Sequence, residues 1–207
     1  MSLSVEEIDK LPFKQKWVAL CMLLLRHCGW VQETPEQSFK LIHPRGLDWH
    51  RGALFCDGVW KDEFYSRIAV MLSWQTLPAH HHDEEGETFK VIHGMVQVST
   101  YDPLINPEMI PVALSPFYGP GEYFSVEPGQ IHAVTSGDGG CVFVGVCHRS
   151  HLRDVHWDLK PHGEPALDAN EQVSIASIPA WSPPAEAWRG PTFADHFADV
   201  FAKSKMK

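Results

Sequence analysis

The stretch His80-His81-His82-Asp83-Glu84-Glu85-Gly86-Glu87-Thr88-Phe89-Lys90-Val91-Ile92-His93-Gly94 decides how the chain is read. His80 and His82 stand two residues apart, so on an extended backbone both imidazoles fall on one side. Four residues lie between His82 and Glu87, and six between Glu87 and Gly94. Glu87 opens a strand in which Glu87, Phe89 and Val91 share a face, which lets a carboxylate point inward beside the two histidines. The same alternation turns His81 away, to a structural or solvent-facing place. Asp83, Glu84 and Glu85 form an acidic loop at the mouth. His93 shares the parity of Glu87 and could reach the cavity, whereas Lys90 has outward parity and is expected at the surface.

Around this stretch the texture is β. Residues 67–74 read as a strand; 87–93 and 95–101 read as a hairpin about Gly94. A looser run, 102–121, carries Pro103, Pro107, Pro111, Pro116 and Pro120. Residues 122–126, 131–136 and 141–148 are three more short strands, the last two joined by an expected hairpin turn at Asp138-Gly139-Gly140. Many short strands with Gly/Pro turns and no intervening helices argue for an all-β sandwich or small barrel. Before it, Ser4 and Glu7 have capping-box spacing for a short helix. Pro12 then opens a second helix through Trp17, Leu20, Cys21, Leu24 and Leu25, which Gly29 stops. Its wide apolar surface calls for burial against the main body or another subunit. Residues 30–63 read as irregular. Beyond Pro161 the tail is rich in Pro and Trp (Trp181, Pro183, Pro184, Trp188) and is expected to wrap the surface before a short helix at 193–202. The expected division is thus a helical and irregular extension at 1–63, a barrel at 64–158 and a wrapping tail at 159–207.

The chain of 207 residues is 44% hydrophobic and 21% charged, which fits one folded domain with extensions. Lys and Arg total 17 against 26 Asp and Glu, for a net charge of −9; no basic surplus exists to neutralise phosphates, which argues against a nucleic-acid binder. The longest apolar run, 17–25, is far short of the roughly 20 residues of a membrane span. No charged, apolar, small-residue leader opens the sequence, and Met1-Ser2-Leu3 has the look of an expression scar. Five cysteines, odd in number and with no C-x-x-C pair, suit a reducing, cytoplasmic setting. Thirteen histidines are the one unusual count.

Further along come Gly121, Pro128-Gly129 and His132 at the start of a strand. Together with the first stretch they resemble the two cupin motifs, H-x-H-x(3,4)-E-x6-G and G-x5-P-x-G-x2-H-x3-N. His80, His82, Glu87 and Gly94 meet every fixed position of the first. In the second, Gly121, Gly129 and His132 match, Pro128 stands one residue late behind Glu127, and Ser136 replaces the final Asn. The resemblance covers about residues 64 to 148. It implies a cupin double-stranded β-helix, a jelly-roll barrel with N-terminal helices and a C-terminal wrapping tail, holding one divalent metal on His80, His82, Glu87 and His132. That ligand set suits Mn first, with Fe, Co, Ni or Zn as alternatives.

A finer resemblance points to the chemistry. Residues 87–90 with Gly94, and residues 126–132 through 144–146 to the polar segment 150–157, look like the small cupin sugar isomerases, in particular D-lyxose ketol-isomerases. The implied activity is aldose–ketose isomerisation of a small sugar, with the metal gripping the carbonyl and a neighbouring hydroxyl and a base moving the proton. By position Glu85 and Glu84 are the candidates for that base. An Fe(II) dioxygenase can use the same four ligands, and a non-catalytic, metal-dependent small-molecule binder is a third reading. A homodimer is expected, since the apolar helix and Trp-rich tail exceed what a small barrel needs to cover its ends.

Overall fold

The computed structural model describes residues 5–30, 39–43, 52–61, 64–83, 86–102, 104–105, 108, 110–148, 156–157, 168–173 and 190–204. Two helices come first, α1 (Val5–Asp9) and α2 (Phe13–His27), followed by β1 (Phe39–His43), β2 (Ala53–Lys61), β3 (Phe64–Met71), β4 (Thr76–His81), β5 (Glu87–Tyr101), β6 (Ala113–Leu114), β7 (Tyr123–Val126), β8 (Ile131–His148), β9 (His156–Trp157), β10 (Asp168–Val173) and α3 (Phe193–Ser204). Every strand pairing among the described residues is antiparallel, and the fold is all-β with helices added at its ends. Pro12 precedes α2 and Gly29 follows it, as the sequence signals require. The stretch read as irregular, 30–63, contributes two strands of the sheet, β1 and β2. The signal was present in Ala53-Leu54-Phe55-Cys56 but was masked by the flanking glycines. Of the wrapping tail, residues 174–189 with both tail tryptophans lie outside the described residues. No described helix is long and apolar enough to cross a membrane.

The strands form two layers that share β5 and β8. One layer runs β10-β1-β2-β3, then the second half of β8, the first half of β5, and β7. The other runs β9-β4, the first half of β8, the second half of β5, and β6. Residues 95–101 and 87–93, expected as hairpin partners, are therefore one strand turning a corner, and so are 131–136 and 141–148. Gly94 (φ 72°) and Gly140 (φ 79°) make the corner. A Cβ on Gly94 would run into the Gly140 carbonyl oxygen, and one on Gly140 would lie 2.5 Å from the Met71 carbonyl oxygen. Glycines with positive φ stand where the sequence expects turns, but here they bend two paired strands together and reverse neither. Gly94→Ala should cost about 3 kcal/mol, from the left-handed backbone and the clash together. Urea unfolding measures it; a loss below 1 kcal/mol would mean that the corner relaxes freely.

Alternation along the shared layer builds two cores. Ala53, Phe55, Ala69, Met71, Val91 and Phe143 face inward and meet Leu77, Val96, Val98 and Val134 of the opposite layer. Their neighbours Leu54, Cys56, Ile68, Val70, Val142, Val144 and Val146 face outward, against Trp17, Val18, Cys21, Met22 and Leu25 of α2 and Phe197, Val200 and Phe201 of α3. Burial on both faces is why Ile68-Ala69-Val70-Met71 reads as an unbroken apolar run. It also answers the question left by α2: its apolar surface covers the barrel of its own chain. All five cysteines are buried and free, and burial raises the Cys28 thiol to about 12.

Lys90 faces outward as expected, yet it is not idle: it pairs with Asp199 and so fastens α3 across the layer. Beside it His196 is buried, and neither ring nitrogen has a hydrogen-bond partner among the described residues. Burial, with the Lys90 charge adding to it, lowers the His196 pKa; Asp195 and Asp199 oppose the shift. A folded-state pKa below the unfolded value gives stability that is present above about 6.5 and is lost as pH falls below it. His196→Phe should therefore shrink the difference in unfolding free energy between pH 7 and pH 5. An unchanged difference would place the acid sensitivity elsewhere.

Candidate metal centre

Four side chains from four places in the chain converge between the layers. β4 carries His80 and leads directly into His82, β5 starts with Glu87, and His132 is the second residue of β8. His80 stands directly opposite His132 in register. A one-residue register shift lies between Leu77 and His80, and it matters. Leu77 faces the barrel core, so regular alternation would turn His80, three residues on, outward; the bulge restores it to the inside. His82 is held from behind by the Gly129 amide, which donates to the His82 carbonyl at 2.6 Å.

The ring centroids of His80 and His132 are 4.3 Å apart, those of His80 and His82 5.2 Å, and those of His82 and His132 5.9 Å. Glu87 Oε2 lies 3.5 Å from His82 Nε2 and 3.9 Å from His132 Nε2. One ligand atom from each of the four falls within 4.8 Å of every other, and all four residues are buried. The Nδ1–H of His80 donates to the Pro78 carbonyl at 2.8 Å, and that of His132 to the Gln130 carbonyl at 2.9 Å. A carbonyl can only accept, so both Nδ1 atoms carry the proton and Nε2 is the lone-pair nitrogen of each ring. Burial first, then the neighbouring His132 and His82, pushes the His80 pKa well below its ordinary value, so its imidazole is neutral. A buried carboxylate facing three imidazoles fits a divalent cation, which supplies the compensating charge and accepts the lone pairs.

The remaining sequence expectations divide. His81 turns away and pairs with Asp83 at 3.2 Å. His93 does not reach the cavity: a second bulge, between Val91 and His93, inverts the parity, and its ring packs edge-on against His27 of α2 at 5.3 Å. Glu84 and Glu85, the candidate bases, lie outside the described residues. Ser136, where the motif has Asn, serves the turn between β3 and β4: it donates to the Leu72 carbonyl at 2.6 Å and accepts from the Gln75 amide at 3.0 Å. Thr100 escaped the sequence reading. It pairs with His132 in register and shares the parity of Val96 and Val98, which places a hydroxyl on the inner face beside that histidine. Its signal is this parity, which a hairpin at Gly94 hides and a continuous β5 restores.

No family model matches the chain, and no curated protein matches it. Solved structures do. A cupin-like protein from Thermotoga maritima is 13% identical with a TM-score of 0.43, over 62% of this chain and 88% of that one. A cupin-2 domain protein from Shewanella frigidimarina is 15% identical with a TM-score of 0.36, over 44% and 76%. An oxalate oxidase is 17% identical with a TM-score of 0.40, over 50% of this chain and 52%, about half, of its own. The neighbours are cupins. At this level of similarity they say nothing about activity, and the chemistry of the centre rests on its own side chains.

Proposed function

We propose that the chain is a metal-dependent cupin enzyme, an aldose–ketose isomerase acting on a small sugar, with Mn as the favoured ion on His80, His82, Glu87 and His132. The observation that carries the metal is the convergence of three imidazoles and one carboxylate, with the Nδ1 atoms of His80 and His132 committed to backbone carbonyls. The isomerase rests on the resemblance of residues 87–94 and 126–157 to the D-lyxose isomerases. When bound, the cation would polarise a carbonyl and an adjacent hydroxyl of the substrate. Two residues beyond Glu87 on the same face the chain sets Phe89, paired with Phe124, and these two rings pack with that of Phe143 at 4.8 to 5.8 Å, an apolar cluster that would limit water beside the site. It offers the Thr100 hydroxyl beside His132 to orient the substrate, and Glu85 or Glu84 to carry the proton between adjacent carbons. Metal analysis of the purified protein, followed by a screen of aldoses and ketoses under nitrogen, tests the proposal. One divalent ion per chain with turnover of a pentose or hexose pair supports it; a full complement of metal with no turnover on any pair counts against the isomerase.

A further inference from the structure

We propose that Arg67 receives an anionic end of the substrate, so that the compound bound in this barrel is a small sugar acid: a hydroxy-carbonyl compound that also bears an oxyanion group, carboxylate or phosphate. The inference rests on the reading of the four-residue centre as a working metal site and adds the class of its substrate. Arg67 lies on β3 two residues before Ala69 and four before Met71, both inward-facing members of the barrel core. Its guanidinium carbon is 5.1 Å from the ring centroid of Phe55, itself in that core, and 5.7 Å from that of Tyr65. A cation has therefore been placed on the inner face of the barrel and braced by two aromatic rings. Acids outnumber bases by 26 to 17 in this chain; among the described side chains the recorded neighbours of the Arg67 guanidinium are the rings of Phe55 and Tyr65, while the side chain of Asp57, opposite it in register, lies outside the described ones. A guanidinium braced on aromatic rings presents a planar fork of N–H groups that can make two parallel hydrogen bonds to an oxyanion.

The register sets its distance from the centre. Tyr65 pairs with Cys147, and Glu87 stands one step beyond the Thr88–Val146 pair, so Tyr65 and Glu87 lie at the same level, two strands apart. Arg67 is the next inward position along β3, which puts its Cα about 12 Å from that of Glu87 by strand spacing and rise. An extended arginine and a small acid together span that gap. Phe89, in register with Gly145 and through it with Arg67, lays an apolar wall along the path, where a charge pair is stronger than in water.

The test uses the full chain loaded with Mn and three probes with one carbon skeleton: galactose, galacturonate and galactose 6-phosphate. Calorimetric titration should show one of the two anions binding at least tenfold tighter than galactose, and which of them does so identifies the oxyanion as carboxylate or phosphate. Arg67→Met should bring the three within about threefold of one another while the metal content stays at one ion per chain. Arg67→Lys should keep only part of the preference, because an ammonium cannot form the parallel pair; it decides the matter if the methionine variant fails to fold by near-ultraviolet dichroism. Equal or absent binding of the three probes to metal-loaded protein would overturn the inference, and so would a preference that survives in the variants. Asp57 stands opposite Arg67 on β2. If Asp57→Asn and Arg67→Met lower the melting temperature equally and leave the preference intact, Arg67 is a cross-strand counter-charge and the inference fails. Absence of metal from the unmodified protein would instead refute the reading of the centre itself, and the same samples report it.

Discussion

His132→Ala should reduce the metal content of the purified protein from one ion per chain to below a tenth, while His81→Ala leaves it unchanged. Removing one imidazole deletes a direct ligand, which exceeds the roughly 10–100-fold that even an outer partner of a ligand contributes to affinity. The remaining His80, His82 and Glu87 would also face a gap, because His132 is the ring closest to His80 and lies 3.9 Å from Glu87. The barrel should still fold. Its inner core is built from Phe55, Met71, Val91, Val98, Val134 and Phe143, and its outer face is covered by α2 and α3, none of which depends on His132. The decisive comparison is thermal. An ion that binds only the folded chain stabilises it by about 4 kcal/mol at a thousand times its dissociation constant. Added Mn should therefore raise the melting temperature of the unmodified protein and of His81→Ala, and leave that of His132→Ala where it was. A His132→Ala protein that keeps a full ion, or a metal-dependent rise in its melting temperature, would remove His132 from the ligand set.

What could be read from the sequence here, and what could not, follows from the range of each interaction. The spacing of His80, His82 and Glu87 is local, and strand alternation projects it to one side of the chain. His132 was reachable because Gly129, three residues before it, marks its turn. The two bulges are another matter. They are set by how β4 and β5 register on β8, a long-range property, and each inverts a parity: in favour of the site at His80 and against it at His93. The same limit explains Gly94 and Gly140. A glycine with positive φ was foreseeable, but whether it reverses a strand or bends a pair depends on what the other glycine does across the sheet. Arg67 was hidden among the apolar residues of β3, since its inward orientation needs the partner layer to define an inside.

The sharpest separation of the two catalytic readings is in oxygen. Aldose–ketose isomerisation moves two hydrogens within the substrate and leaves its oxidation level unchanged, so it needs neither O2 nor a metal that changes valence. A dioxygenase consumes one O2 for each substrate and requires iron or another ion able to activate it. Mn- or Co-loaded protein under nitrogen should therefore interconvert an aldose–ketose pair, either a neutral pentose pair such as lyxose and xylulose or an anionic sugar pair, and admitting air should not change the rate. Glu87→Gln is the matched variant: it keeps the shape of the side chain but removes the one anionic ligand, buried at the start of β5 and 3.5 Å from His82. With no carboxylate to offset a divalent charge in an apolar barrel, metal affinity and turnover should both fall, the latter by about 100-fold or more, equivalent to at least about 2.7 kcal/mol of transition-state stabilisation. Supplying excess Mn should recover only the part of the loss that reflects occupancy. Stoichiometric oxygen uptake by iron-loaded protein, with no sugar turned over by the Mn form, would transfer the same four ligands to the dioxygenase reading. The centre at His80, His82, Glu87 and His132 would stand, because either chemistry needs all four residues to meet at one point.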